Sequence, residues 1–125
     1  MIVLERVWEM LGPWLTAFVL TQVVEMGVYA QVPGPARSLK NRLAIAFGAS
    51  AITHPIVWFV IAPLYLPLRV DWWTIVAIAE AYAFVVEAIW LWLFDYRLRT
   101  AILASATANG LSFTIGLFCY EVLGW

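Results

Sequence analysis

Four apolar runs, each about twenty residues long, fill most of this 125-residue chain and leave only short polar links between them. A bilayer core about 30 Å thick is crossed by about 20 helical residues. The runs therefore predict spans at about 11–32, 43–66, 72–94 and 100–120. In lipid every backbone N–H and C=O must be paired inside the segment, which makes each span a helix. Pro13 falls in the first turn of the first run, where its missing N–H costs nothing. Pro33-Gly34-Pro35 ends that run. Short links favour antiparallel neighbours. The expected fold is all-α, a four-transmembrane-helix bundle forming one integral membrane domain over 1–125.

Composition supports the same class. The chain is 65% hydrophobic and 12% charged, against about 45–50% and 25% in soluble domains. A net charge of −1 offers no basic face for nucleic acid, so the expected partner is the lipid bilayer. Cys119 is the one cysteine, which excludes an internal disulfide. Val28-Tyr29-Ala30 could pass for a signal cleavage site. The stretch before it carries Glu5, Glu9, Thr21, Gln22 and Glu25, and it outlasts the 7–15 apolar residues of a leader, so it reads as a retained span.

Positive residues in short loops set orientation. Arg37, Lys40, Arg42, Arg97 and Arg99 fall on one side, Arg6 and Arg69 on the other. This places the 33–42 and 95–99 loops in the cytoplasm and both termini outside. Trp8, Trp14, Trp72, Trp73 and Trp125 would then gather at the outer interface, with Trp90 and Trp92 near the inner one. Each is read as an interfacial anchor.

The chain also echoes itself. Ala49-Ser50-Ala51-Ile52-Thr53-His54-Pro55 is matched by Ala104-Ser105-Ala106-Thr107-Ala108-Asn109-Gly110, and Val23-Val24-Glu25 by Val85-Val86-Glu87. Two parallel-repeat helical hairpins would produce this pattern, related by an axis along the membrane normal. Small residues that let helices approach closely would produce it by coincidence.

Ionisable groups inside the spans carry the functional signal. Insertion scales charge about 2.5–3.5 kcal/mol for an Asp, Lys or Arg at a span centre, so an intramembrane carboxylate is a functional candidate. At about 1.5 Å per residue, Glu25 and Glu87 come to a similar depth, with Ser50 and Ser105 beside them. Thr21, Gln22, His54, Glu80 and Asn109 lie nearer mid-membrane. Thr21 and Glu25 share a face, as do Ser50 and His54, and Ser105, Asn109, Ser112 and Gly116 form a stripe. The expected polar core is Thr21, Gln22, Ser50, Ser105, Asn109 and Ser112. A protonated Glu serving only as a hydrogen-bonding tie between helices is the structural alternative.

The spans hold carboxylates but no Lys or Arg, which favours cations or protons over anions. One imidazole among carboxylates suits a borderline-to-hard divalent metal cation, with Glu25, His54, Glu80 and Glu87 as candidate ligands. Pro55, beside His54, frees the carbonyl of Ala51 inside the second span. A Ser-His-Glu arrangement of Ser50 or Ser105 with His54 and Glu80 is the alternative chemistry.

Thr53-His54-Pro55, Glu80 with Glu87, and Ser105-x-x-x-Asn109-x-x-Ser112-x-x-x-Gly116 together resemble small uncharacterised bacterial four-helix membrane proteins. The resemblance covers the last three spans and carries no activity. It implies a bacterial inner membrane, with both termini then periplasmic. The expected function is a cation- or proton-binding subunit of a small transporter or channel, working as a homodimer. An intramembrane enzyme acting on a lipid through His and Glu, or a structural membrane subunit, are the other expectations.

Overall fold

A computed structural model describes residues 2–35 and 37–124, without the side chains of residues 2–4, 6 and 7. The expected positions of the Arg6 side chain and of Trp125 lie outside the described residues. Among the described residues every regular element is helical. Helix α1 covers Ile2–Gln31, α2 Leu39–Ile56, α3 Tyr65–Leu68, α4 Trp72–Leu93 and α5 Leu98–Leu123. Helices α2 and α3 are parts of one span, joined by a π-helical turn at Val57–Ile61 and a 3-10 turn at Ala62–Leu64. Four helices are thus long and apolar enough to cross a membrane.

Three of the four spans begin earlier than the apolar runs do. Helix formation does not need apolar residues, and local caps decide where it starts. Ser38 caps α2, its Oγ accepting the N–H of Asn41 at 3.3 Å, so polar Lys40 and Asn41 lie within the helix. Helix α1 likewise runs through Glu5 and Glu9 from Ile2. The start of α4 at Trp72 matches the expectation, because Asp71 caps it there, accepting the N–H of Thr74 at 3.0 Å.

Proline explains the break in the second span. Pro55 cannot donate to the carbonyl four residues back, and the regular α pattern gives way to the wider π turn within one turn of it. Pro63 then falls in the first turn of the 3-10 segment. Arg69, with φ of 52°, reverses the chain in the left-handed region before Asp71 restarts it.

The helices form a ring in which α1 packs on α2, α2 on α4, α4 on α5 and α5 back on α1. The two ends of this ring differ. At the end bearing the 32–38 and 94–97 links, Tyr29, Ile45, Ala46, Leu91, Ala101 and Ala104 make a tight core rich in alanine, which lets backbones approach closely. Trp90 lies over Gly48, where an added Cβ would come within 2.7 Å of its ring, and donates its indole N–H to the carbonyl of Ile45 at 2.9 Å. The ring of Tyr96 fills the space beside Gly34. Arg37 donates to the carbonyl of Phe94 at 2.8 Å, and Arg42 to those of Ala30 and Val32, so two guanidinium groups close the C-terminal ends of α4 and α1.

The exterior inverts the usual soluble arrangement. Leu15, Val19, Val23, Phe47, Val85 and Ile89 are exposed, whereas Gln22, Glu25, Ser50, Thr53, Glu87 and Ser105 are buried. An apolar outside around a polar inside is the arrangement that a lipid solvent selects. Trp8, Trp72 and Trp73 are exposed at the opposite end from the alanine core, as interfacial anchors would be. Trp14 departs from that expectation: it stacks on Phe18 at 5.3 Å, with its indole nitrogen buried.

Candidate functional site

Two carboxylates sit at the centre of the ring, Glu25 on α1 and Glu87 on α4, each 1% exposed. Each is met from both neighbouring helices. Ser50 of α2 donates to Oε2 of Glu25, and Ser112 of α5 to its Oε1 at 2.7 Å. Thr53 of α2 donates to Oε1 of Glu87 at 2.7 Å, and Asn109 of α5 to its Oε2 at 2.9 Å. Tyr29 of α1 adds a third donor to Glu87, its hydroxyl 2.5 Å from Oε2. Helical spacing brings these groups together: Ser50 and Thr53 are one turn apart on α2, Asn109 and Ser112 on α5, and Glu25 and Tyr29 on α1.

The chemistry of these partners matters. Hydroxyls of Ser, Thr and Tyr rotate to donate or accept, whereas the amide nitrogen of Asn109 only donates. The cage can therefore keep its hydrogen bonds whether a carboxyl holds a proton or not. Asn109 is itself held by the carbonyl of Ser105 at 3.0 Å, and Ser105 ties back to the carbonyl of Phe84 at 2.8 Å.

Above the pair the ring opens into a cavity of about 1020 Å³. Glu25, Glu87, Thr53 and Asn109 lie at its floor, and Pro13, Trp72, Trp73, Tyr120 and Glu121 at its far rim. From Trp72 to Glu87 this is about 22 Å of helix. The cavity opens at the end where α1 starts and α5 finishes, and the alanine core closes the other end. Among the described residues no Lys or Arg lines it, whereas Glu25, Glu80, Glu87, Glu121 and His54 do.

The expected polar core separates into distinct parts. Ser50, Asn109 and Ser112 bond the carboxylates, and Thr21 and Glu80 line the cavity wall. Ser105 supports Asn109 from behind. Gln22 stands apart as a helix tie, its amide donating to the carbonyl of Phe47 at 3.2 Å.

The four expected metal ligands do not converge. Among the described residues no three His, Cys, Asp or Glu side chains are placed to hold one metal ion. Glu25 and Glu87 are engaged by Ser, Thr, Tyr and Asn donors, and His54 turns into an aromatic sleeve. Its ring lies 5.4 Å from that of Phe18, 6.0 Å from that of Trp58 and 6.3 Å from that of Trp14. The partners of the Ser-His-Glu alternative are not brought together among the described residues: Ser50 bonds Glu25, Ser105 bonds the Phe84 carbonyl, and neither hydroxyl bonds His54.

Tyr29, Thr53 and Trp58 are site residues that the sequence reading did not select. Tyr29 carried a usable signal, one turn beyond Glu25, and Thr53 adjoins His54. Trp58 carried none beyond its type; it stacks on His54 one turn away and lines the cavity.

Comparison of the chain with protein-family models, with curated proteins and with solved structures gives no match.

Proposed function

We propose that this chain is a multi-pass membrane protein that binds cations or protons at the Glu25–Glu87 floor and carries them as a small transporter or channel subunit. The observation that carries this reading is the one-ended cavity, which leads to a buried carboxylate pair and, among the described residues, is lined by no Lys or Arg. Buried carboxylates without a cationic partner are costly in lipid and mark ion or proton paths. A hydroxyl cage that stays satisfied in both protonation states suits a group that exchanges its proton. An intramembrane anion site would need Lys or Arg, and none among the described residues lines the cavity.

The order of the ring supports the two-hairpin repeat. Exchanging α1 with α4 and α2 with α5 leaves the neighbour order unchanged, and it exchanges Glu25 with Glu87. The excess of Lys and Arg beside the closed end supports a cytoplasmic position for that end, with the cavity facing the periplasm. The cavity stops at its floor, so onward passage needs the closed end to part. We assign that step to a homodimer in the bacterial inner membrane.

Reconstituted vesicles loaded with a pH-sensitive or cation-sensitive dye test the function. Wild-type protein should dissipate an imposed proton or cation gradient, and Glu25→Gln and Glu87→Gln should each abolish this while circular dichroism stays unchanged. Wild-type vesicles that move neither protons nor cations under any gradient would overturn the reading.

A further inference from the structure

The cavity is far larger than a proton or a bare inorganic ion requires. At about 1020 Å³ it matches the upper end of drug-sized pockets, which run from about 300 to 1,000 Å³. Its wall presents the aromatic side chains of Trp58, Trp72, Trp73 and Phe113 between the carboxylate-bearing positions. Aromatic faces attract organic cations through the ring quadrupole while packing against an apolar body. Glu80, half-buried on this wall, has no cationic partner, since the one ion pair among the described residues joins Arg37 to Asp95.

His54 lines the same cavity with its ring, but its Nδ1 is shut away from it beside Trp14, Phe18 and Trp58, which leaves Glu80 as the unpaired hydrogen-bonding group on this stretch of wall. The absence of a three-ligand cluster among the described residues argues against a metal ion as the occupant, and a lining with four Glu and, among the described residues, no Lys or Arg argues against an anion.

We infer that the cavity binds a protonated amine carried on an apolar body, its N–H groups donating to Glu80 while the body lies against Trp58, Trp72 and Phe113. The inference rests on the cation reading above and names its cargo. A fully methylated ammonium keeps the charge and the body but has no N–H, so the hydrogen bond to Glu80 gives the site a preference for amines over quaternary analogues.

Calorimetric titration of the detergent-solubilised full chain with phenylbutylamine and with its trimethylammonium analogue tests this, with empty micelles as the blank. The amine should bind saturably, and the quaternary analogue at least about tenfold more weakly, as expected for loss of a hydrogen bond to a charged group. Glu80→Gln should weaken amine binding by at least about tenfold. Gly116 lines the cavity, and a Cβ added there meets nothing within 4 Å. Gly116→Phe should therefore fill the space and abolish binding, whereas Gly110→Ala, which faces no cavity atom, should leave it unchanged. Amine uptake no greater than that of empty micelles would overturn the inference, as would binding untouched by Gly116→Phe or equal affinity for the two ligands. The ligand pair on wild-type protein decides the matter even if a variant fails to fold. If the amine does not bind while vesicles still move protons through Glu25, this inference falls and the cation reading stands; amine binding by protein whose vesicles move nothing gives the reverse.

Discussion

Glu87 accepts hydrogen bonds from three different helices, and that makes it the residue most sensitive to substitution. Gln keeps the shape: its amide oxygen still accepts from Tyr29 and Asn109, and its amide nitrogen donates to the hydroxyl of Thr53, which turns to accept. Leu strands them, at about 1–3 kcal/mol for each unsatisfied buried group. Thermal stability in detergent should therefore rank wild type, Gln, then Leu. A Leu variant more stable than wild type would mean that the cage is strained. At this scale the carboxylates were legible in the sequence because charge in an apolar run is costly and rare. Ser50, Asn109 and Ser112 were legible because helical spacing put them at the right depth. Tyr29 and Thr53 were not, since hydroxyls are ordinary in membrane helices and only the ring order shows that they reach Glu87. His54 was legible as unusual but not in its surroundings, because Trp14 and Phe18 come from another helix.

Helix ends show where local chemistry outranks hydropathy. Asp71 accepts from both the hydroxyl and the N–H of Thr74, and these bonds hold its carboxyl below the usual carboxylate range. A carboxyl lowered by folding stabilises the fold above its unfolded-state value, and that contribution is lost as pH falls through the folded value. Wild-type protein should thus melt above Asp71→Ala at neutral pH, with the gap closing in acid, while Asp71→Asn, which caps without titrating, should keep the same margin over Asp71→Ala at every pH. A gap that does not change with pH would remove the carboxylate from this role. The apolar windows predicted span centres well and span starts less well, since Ser38 and Asp71 act from outside those windows. Pro55 was readable as a disturbance of the second span. That the disturbance takes the form of a π turn at Val57–Ile61 depends on how the segment packs against α4.

Taken whole, the bundle is asymmetric along its axis. One end is sealed by the alanine core, by Trp90 over Gly48, and by Arg37 and Arg42 on the helix ends. The other end is splayed into the cavity, with only a small cluster of Ile61, Ile75 and Ala79 to hold it. Four helices, their order and a shared polar layer follow from the four runs and the positions of their charges. The cavity does not, because it arises from how far the helices part, which side-chain pattern alone does not encode. The account stands on water reaching Glu25 and Glu87 from one side only. The direct measurement is labelling of single cysteines by a membrane-impermeant thiol reagent in sealed vesicles, in a Cys119→Ser background. Cysteines at Ala17, Ala83 and Gly116 line the cavity and should react from the side where α1 starts and α5 finishes, and not from the other. Cysteines at Ala46 and Ala101 in the sealed core should react from neither side. Reaction of the cavity positions from the loop side, or from neither side while the sealed positions react, would contradict it.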